Sequence, residues 1–238
     1  MAHAKFPHNP EQPKIVGSFG SAMDLLDSSA AIIWESCDIA EVRLDIIMEE
    51  GTAMNSSPWQ HLSVIPLLFT ARRIEEGGAR ALDAAARMDL LRLALDQAAL
   101  VDIEVASIGE MGDLLEEIEA RQIPWIASFH DFGKLPDRST LEEAVDRARE
   151  AGAAVFKTAA KLSTPEDLAR LAEFQLADHG IPVSTMGMGP LAPVSRLLCA
   201  QSGSVLNYGY IGKNPTAPGQ WDSLFLKQAV SRLASIRI

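Results

Sequence analysis

The sequence predicts an α/β protein of the (β/α)8 barrel class, built as a single domain. Three observations carry this expectation. Eight short β-rich apolar runs succeed one another along the 238 residues, amphipathic stretches separate most of them, and no antiparallel hairpin turn joins any two. Parallel strands need crossover helices, and eight such units close into a barrel of roughly 250 residues. The stretch after the first strand reads GSFGS at 17–21 rather than GxGxxG, which weakens an open dinucleotide-binding sheet.

Taken in order, residues 1–13 read as a flexible polar tail and residues 14–238 as the catalytic barrel. The first strand falls at Ile15–Phe19, the second at Ile39–Leu44 and the third at Ile65–Thr70. A helix over Ala79–Gln97 follows, with Leu82, Ala86, Leu90 and Leu93 spaced along one face. Then come strand Leu100–Val105 and helix Glu110–Ala120, strand Trp125–His130 and helix Leu141–Ala151, strand Ala154–Thr158 and helix Thr164–Ala177. Strand Pro182–Met186, helix Leu191–Ala200, strand Val205–Tyr210 and helix Asp222–Ile236 complete the set. TPED at 164–167 is the clearest boundary, placing a Thr N-cap, a Pro at the first helical position and an acid at the third. Gly152 and Gly180 stand where helices end.

Composition narrows the partners. The chain is 47% apolar and 22% charged, ordinary for a globular enzyme with a sizeable core. Its net charge of −11 disfavours nucleic acid and anionic membranes, whose phosphates it would repel. An anionic small molecule remains compatible if cations gather in one cleft. Cys37 and Cys199 lack metal-type spacing and read as two buried, reduced thiols. With no signal-type apolar core and no run of 18 apolar residues, cytoplasmic residence is the expectation.

Barrel chemistry sits at the carboxyl ends of strands. Glu41, Arg43 and Asp45 in CDIAEVRLD share one face by their spacing of two, as do Asp102 and Glu104 in LVDIEV and Ser128 and His130 in IASFHDF. The segment LLFTARRIEEGG supplies Arg72, Arg73, Glu75 and Glu76. In AAVFKTAAKL, Lys157 faces the same way as Val155 and opposite to Phe156. An ammonium there is costly unless paired or neutral, and a stem-buried lysine with its head in water is the plain alternative. A lysine kept neutral by an apolar wall, next to the strand of His130, suits imine chemistry on a ketone: the amine attacks, the iminium acidifies the neighbouring proton, and His130 removes it. Lys161 lies past the strand end and ranks below Lys157. Arg196, in a helix after the seventh strand, with Thr216 and Gln220 in the Gly/Pro-rich loop after the eighth, suits the anion-binding corner common in barrels, a plain surface loop with Gln220 near a helix start being the alternative.

Seven motifs stand in order: EVRLD at 41–45, FTAR…EGG at 69–78, DIE at 102–104, SFHDF at 128–132, VFK at 155–157, the STMG segment ending at Arg196, and TAPGQ at 216–220. In this the chain resembles the type I 3-dehydroquinate dehydratases of the shikimate pathway. The resemblance implies syn elimination of water from 3-dehydroquinate through an imine on Lys157, with His130 as base and then acid and Glu76 orienting it. It further implies a carboxylate clamp of Arg196, Thr216 and Gln220, and hydroxyl-binding groups Glu41, Arg43 and Arg72. No metal or cofactor is implied; a homodimer is. Thr216 stands where the family usually has Ser. Two rivals are a class I Schiff-base aldolase and a non-catalytic barrel. An aldolase usually binds a phosphate, to which the corner at Arg196 is less suited than to a carboxylate.

Overall fold

The computed structural model describes Ala4, Phe6 and residues 12–234. Eight parallel strands form its centre: β1 Lys14–Phe19, β2 Ile39–Arg43, β3 Leu67–Thr70, β4 Ala98–Glu104, β5 Trp125–Asp131, β6 Val155–Lys161, β7 Val183–Met188 and β8 Leu206–Ile211. Each strand pairs with the next from β1 to β7, and β8 pairs with β1. Among the described residues the seam between β7 and β8 has no ladder. It is held by Val205 N donating to Val183 O at 3.1 Å, the Ser184 hydroxyl donating to Leu206 O at 2.5 Å and Thr185 N donating to Ser204 Oγ at 3.3 Å. The product is a nearly closed (β/α)8 barrel, as the alternation of runs predicts.

The helices among the described residues are α1 Ala22–Asp27, α2 Ala30–Ser36, α3 Leu44–Glu49, α4 Ala84–Arg92, α5 Gly112–Ala120, α6 Arg138–Glu150, α7 Pro165–Leu176, α8 Ala192–Gln201 and α9 Ser223–Ala234. The first three were not foreseen, because helices of six or seven residues show less than two turns of periodicity. For α1 and α2 the signal was in the caps, where Ser21 and Ser29 accept from Asp24 N and Ile32 N, while α3 follows Arg43 with no side-chain cap. The helix expected over Ala79–Gln97 is shorter. Asp83 caps Ala86 N at 2.8 Å and starts α4 there, while Leu95–Gln97 forms a separate 3-10 turn. Thr164 and Asp167 make the full capping box that TPED suggests. The end of the last helix expected at Ile236 lies outside the described residues.

Side chains facing the barrel axis change character along the strands. Val16, Ile39, Leu68, Leu100, Ile126 and Val155 form an aliphatic floor at the amino-terminal end. One position further along each strand's inner face stand Ser18, Glu41, Thr70, Asp102, Ser128 and Lys157, all buried. Phe156 points outward and packs with Phe174 of α7, ring centroids 6.3 Å apart, so Val155 and Lys157 share the inner face as expected. The tail read as flexible is tied at one point. Phe6 is 7% exposed and packs into the floor cluster, since an aromatic ring has much to gain from leaving water. The other residues of the 1–11 stretch, Ala4 apart, lie outside the described residues.

Asp45 sits in the first turn of α3 rather than on β2, because the strand ends at Arg43. Its fully buried carboxylate accepts from Arg43 Nε at 2.9 Å and Nη2 at 2.7 Å, from Arg72 N at 3.2 Å and from Ala79 N at 2.9 Å. Burial alone would raise its pKa, but Arg43 and the two backbone donors hold it below the usual value of 3.8. Asp45 thus ties the end of β2 to the segment after β3. Asp45→Ala is expected to cost about 3–5 kcal/mol in urea unfolding, since it strands a buried guanidinium and two backbone donors; a loss below about 1 kcal/mol would contradict that role.

Candidate active site

Strand β6 delivers Lys157 into the mouth of the barrel with 4% exposure. Its surroundings correct the expectation of an apolar wall. Nζ donates to Asp102 Oδ2 at 3.0 Å and stands 4.2 Å from the centroid of the Tyr208 ring. The amine is therefore flanked by a carboxylate and an aromatic face rather than walled in by hydrocarbon. Lys161 is the last residue of β6, not beyond it, and is exposed outside the cavity.

Asp102 is wholly buried and three groups converge on it. Besides Lys157, Arg72 Nη1 lies 2.9 Å from Oδ1 and the Ser128 hydroxyl donates to the same oxygen at 2.5 Å. Desolvation alone would push its pKa up, but Arg72 first and then Lys157 outweigh that and hold it below the usual carboxylate range. Arg72 in turn donates to Ser128 Oγ at 2.7 Å and to Glu104 Oε1 at 3.0 Å.

Strand β5 places His130 one strand from Lys157, with Ala159 as its partner in register. Glu76 Oε2 accepts from His130 N at 2.9 Å and contacts Nδ1 at 3.0 Å. If Nδ1 carries the proton, it donates to Glu76 and leaves Nε2 with a free lone pair. Burial, with Arg72 and Lys157 nearby, lowers the pKa of His130 well below 6.5, so the ring is a neutral base at physiological pH. Burial likewise raises Glu76 to about 7, opposed by Arg72 and reinforced by Glu104. The EGG motif explains how Glu76 gets there. Gly77 ends the 3-10 turn Ile74–Glu76 at φ +87°, and a Cβ on it would meet the Phe132 ring at 2.6 Å. A Cβ on Gly78 would stand 2.4 Å from Arg72 O.

The remaining expected residues also converge. Glu41 accepts from the Thr70 hydroxyl at 2.8 Å and from Ser18. Arg43, gripped by Asp45, also donates to Gly77 O at 3.1 Å. Arg196 is held at the amino-terminal part of α8 by the carbonyls of Tyr208, Gly187 and Ala192 at 3.0, 2.8 and 3.3 Å. No carboxylate pairs with it among the described residues, and burial brings its pKa down to about 10, leaving it cationic. In the loop after β8, the Thr216 hydroxyl donates to Gln220 Oε1 at 2.9 Å. The hydroxyl is thus engaged within the loop, and Gln220 has its oxygen fixed and its amide nitrogen to offer. Gly189 N donates to Pro218 O at 3.0 Å and moors this loop to the segment after β7.

All nine expected site residues line one cavity of about 480 Å³, including its open mouth. The size suits a small polar molecule. An unpaired cation on one side and an ion-paired amine with a neutral base on the other fit an anion carrying a carbonyl group. Among the described residues no group of three or more His, Cys, Asp or Glu side chains converges as a metal site, and no helix is long and apolar enough to cross a membrane. Cys37 and Cys199 are buried and free, and burial lifts their thiols to about 12 and about 11.

The sequence profile described as type I 3-dehydroquinase matches residues 19–236. The chain belongs to the type I 3-dehydroquinase family. A relative from Methanocella arvoryzae, named 3-dehydroquinate dehydratase, is 32% identical over 208 residues, covering 87% of this chain and 91% of its own. One of the same name from Clostridium kluyveri is 27% identical over 236 residues, covering 94% and 91%. Among solved structures, the 3-dehydroquinate dehydratase of Geobacillus kaustophilus superposes with a TM-score of 0.83 at 25% identity, covering 95% of this chain and 93% of that one. Membership favours neither the aldolase nor the non-catalytic barrel.

Two residues of the 3-dehydroquinase cavity region escaped the site assigned from sequence. Asp102 was visible as the partner position of Glu104 on one face, and a buried lysine demands such a carboxylate, but only the register across β4, β5 and β6 brings the two together. Tyr208 and Tyr210 share the inner face of β8, and nothing in NYGYI marks that only the first is buried or that its ring lies against the amine of Lys157.

Ionisation of Glu76 bears on stability with a definite sign. Its folded pKa, about 7, lies above the ordinary 4.5, so between those values the folded chain holds a proton that the unfolded chain releases. The carboxyl therefore destabilises the fold progressively as pH rises through that window. Gln keeps an acceptor for His130 N and cannot ionise. Glu76→Gln is expected to match the parent near pH 4 and to exceed it by up to ~3 kcal/mol near pH 8 in urea unfolding; equal stability at both pH values would show that Glu76 is not penalised by burial.

Proposed function

We infer that the chain is a hydro-lyase that removes water from 3-dehydroquinate to give 3-dehydroshikimate in the shikimate pathway, through an imine on Lys157. The pairing of one buried lysine with one neutral buried histidine, inside a member of this family, is the observation that carries the reading. Neutral Lys157 adds to the ring ketone, one proton is taken up and one water leaves, giving an iminium that draws electrons from the adjacent carbon and gives that proton back when the imine is later hydrolysed. His130 Nε2 takes the acidified proton, supported at Nδ1 by Glu76. The same imidazolium returns a proton to the departing hydroxyl, so a second water is lost. Hydrolysis of the imine consumes one water and restores the amine, and the net change is one water eliminated. Arg196, with Thr216 and Gln220, clamps the substrate carboxylate; Glu41, Arg43 and Arg72 receive the ring hydroxyls. No metal or cofactor has a step in this scheme.

Residues 14–238 act as the one catalytic domain, and the work belongs to the cytoplasm, where thiols such as Cys37 and Cys199 stay reduced. A second copy of the chain suits the outer face of α8 and α9. Val194, Leu198, Leu224 and Phe225 are 37–49% exposed on these two helices, which pack against each other. Neither nucleic acid nor membrane suits the acidic surface.

Incubation with 3-dehydroquinate and borohydride should add one reduced ligand mass at Lys157, found by peptide mapping. Lys157→Met should abolish adduct and turnover together with the fold retained. Turnover without any adduct would end the imine scheme, and an adduct on Lys161 would move the nucleophile. His130→Ala should still trap the imine but lower turnover by roughly 10²–10⁴-fold, as expected for losing a positioned base. Arg196→Ala should raise KM by about 10- to 100-fold, the worth of a charged hydrogen-bond pair; an unchanged KM would place the carboxylate against Arg43 or Arg72.

A further inference from the structure

An arginine outside the cavity is wired to its nucleophile. Arg87, on α4, is 2% exposed, and its Nη1 donates to Glu104 Oε2 at 2.9 Å and to Ser107 Oγ at 3.0 Å. The other oxygen of Glu104 accepts from Arg72 Nη1 at 3.0 Å and Arg73 N at 3.0 Å. Arg72 Nη1 is also 2.9 Å from Asp102 Oδ1, and Asp102 Oδ2 is 3.0 Å from Lys157 Nζ. A row of alternating charge thus runs from the outer helix to the amine: Arg87, Glu104, Arg72, Asp102, Lys157. Side chains along it are 0–5% exposed, so solvent screens these charges little.

The first four charges cancel, and the proton on Lys157 is the unbalanced one. That matters because only the neutral amine attacks a carbonyl. Without Arg87 the row is one positive charge short, and the ammonium of Lys157 fills the deficit. Without the charge of Glu104 the row has one positive charge too many, and the ammonium is disfavoured. We propose that Arg87 is a positioning residue which, through Glu104 and Arg72, keeps Asp102 from holding Lys157 in its ammonium form.

This rests on the imine reading for its purpose, though not for its test. The other charged and titratable groups facing Lys157 are Glu76, after β3, His130 of β5, Glu41 and Arg43 of β2, Tyr208 of β8 and Arg196 of α8. Around Arg87 stand the exposed Glu110, 3.6 Å from Nη2, and Glu75. All of these stay in place in every variant below.

Reductive methylation with formaldehyde and cyanoborohydride reports the neutral amine directly. Labelling of Lys157 is followed across pH by peptide mass, with exposed Lys134 as internal standard. Arg87→Leu should move the midpoint up by about one pH unit, so labelling slows about tenfold below it, and Glu104→Gln should move it down by a similar amount. Arg87→Leu/Glu104→Gln, which restores neutrality while discarding the contacts, should return to the parent midpoint, and Arg87→Lys should stay close to it. Unmoved midpoints, shifts of one sign in both single variants, or a double variant that fails to return would overturn the proposal. Should Arg87→Leu not fold, the downward shift in Glu104→Gln and the return in the double variant decide the matter alone. Separate assay of the parent on 3-dehydroquinate shows whether the imine reading itself holds, since the labelling needs no substrate.

Discussion

Asp102 carries its charge with no exposed surface, and much of the cavity is arranged to make that tolerable. A buried carboxylate is expensive unless cations and hydrogen-bond donors surround it. Arg72, Ser128 and Lys157 supply these from three different walls, at 2.9, 2.5 and 3.0 Å. Each of those groups is fixed in return: Arg72 is held at the cavity wall, Ser128 bridges Arg72 and Asp102, and Lys157 is aimed across the axis. Arg72 then needs Glu104 for its remaining bonding, and Glu104 needs Arg87. One ionised oxygen pair at the centre thereby sets the rotamers of side chains as far out as α4.

The fold was legible because its two periodicities are clean. Inner positions such as Val155, Ile126 and Leu68 alternate with outer ones such as Phe156 and Phe69, and the long helices present an apolar stripe to them. Legibility failed where elements are short, as in α1 to α3, or where a polar residue interrupts a pattern without ending the strand. Lys161 looked like the far side of a boundary, whereas β6 continues to it because backbone pairing with β7 extends to Met188 regardless of side-chain polarity.

In the site, residue types and strand ends were readable but pairings were not. His130 and Glu76 are 54 positions apart, and their contact depends on a glycine turn that carries the acid back over the barrel mouth. Lys157 was expected against an apolar wall because its neighbours in sequence are apolar; Asp102 and Tyr208, its neighbours in space, belong to β4 and β8, which lie far off along the chain. Arg87 gave no sign at all, since an arginine in a helix normally reaches water and only the groove beneath α4 keeps this one from doing so.

The seam between β7 and β8 has one further consequence. Elsewhere around the barrel neighbouring strands are stitched by ladders, but here one backbone bond and two serine hydroxyls bridge the gap. Local opening favours the place with fewest protected amides, and by that measure this seam is the least protected part of the wall. Directly above it lie α8 and the loop after β8, which hold Arg196, Thr216 and Gln220. Lys157, Asp102 and His130 stand on β4 to β6, where each strand is laddered on both sides. Continuous and interrupted pairing therefore fall on different arcs of one cylinder: Arg196, Thr216 and Gln220 stand over the arc with the fewest stitches, while Lys157, Asp102 and His130 stand on the arc with the most.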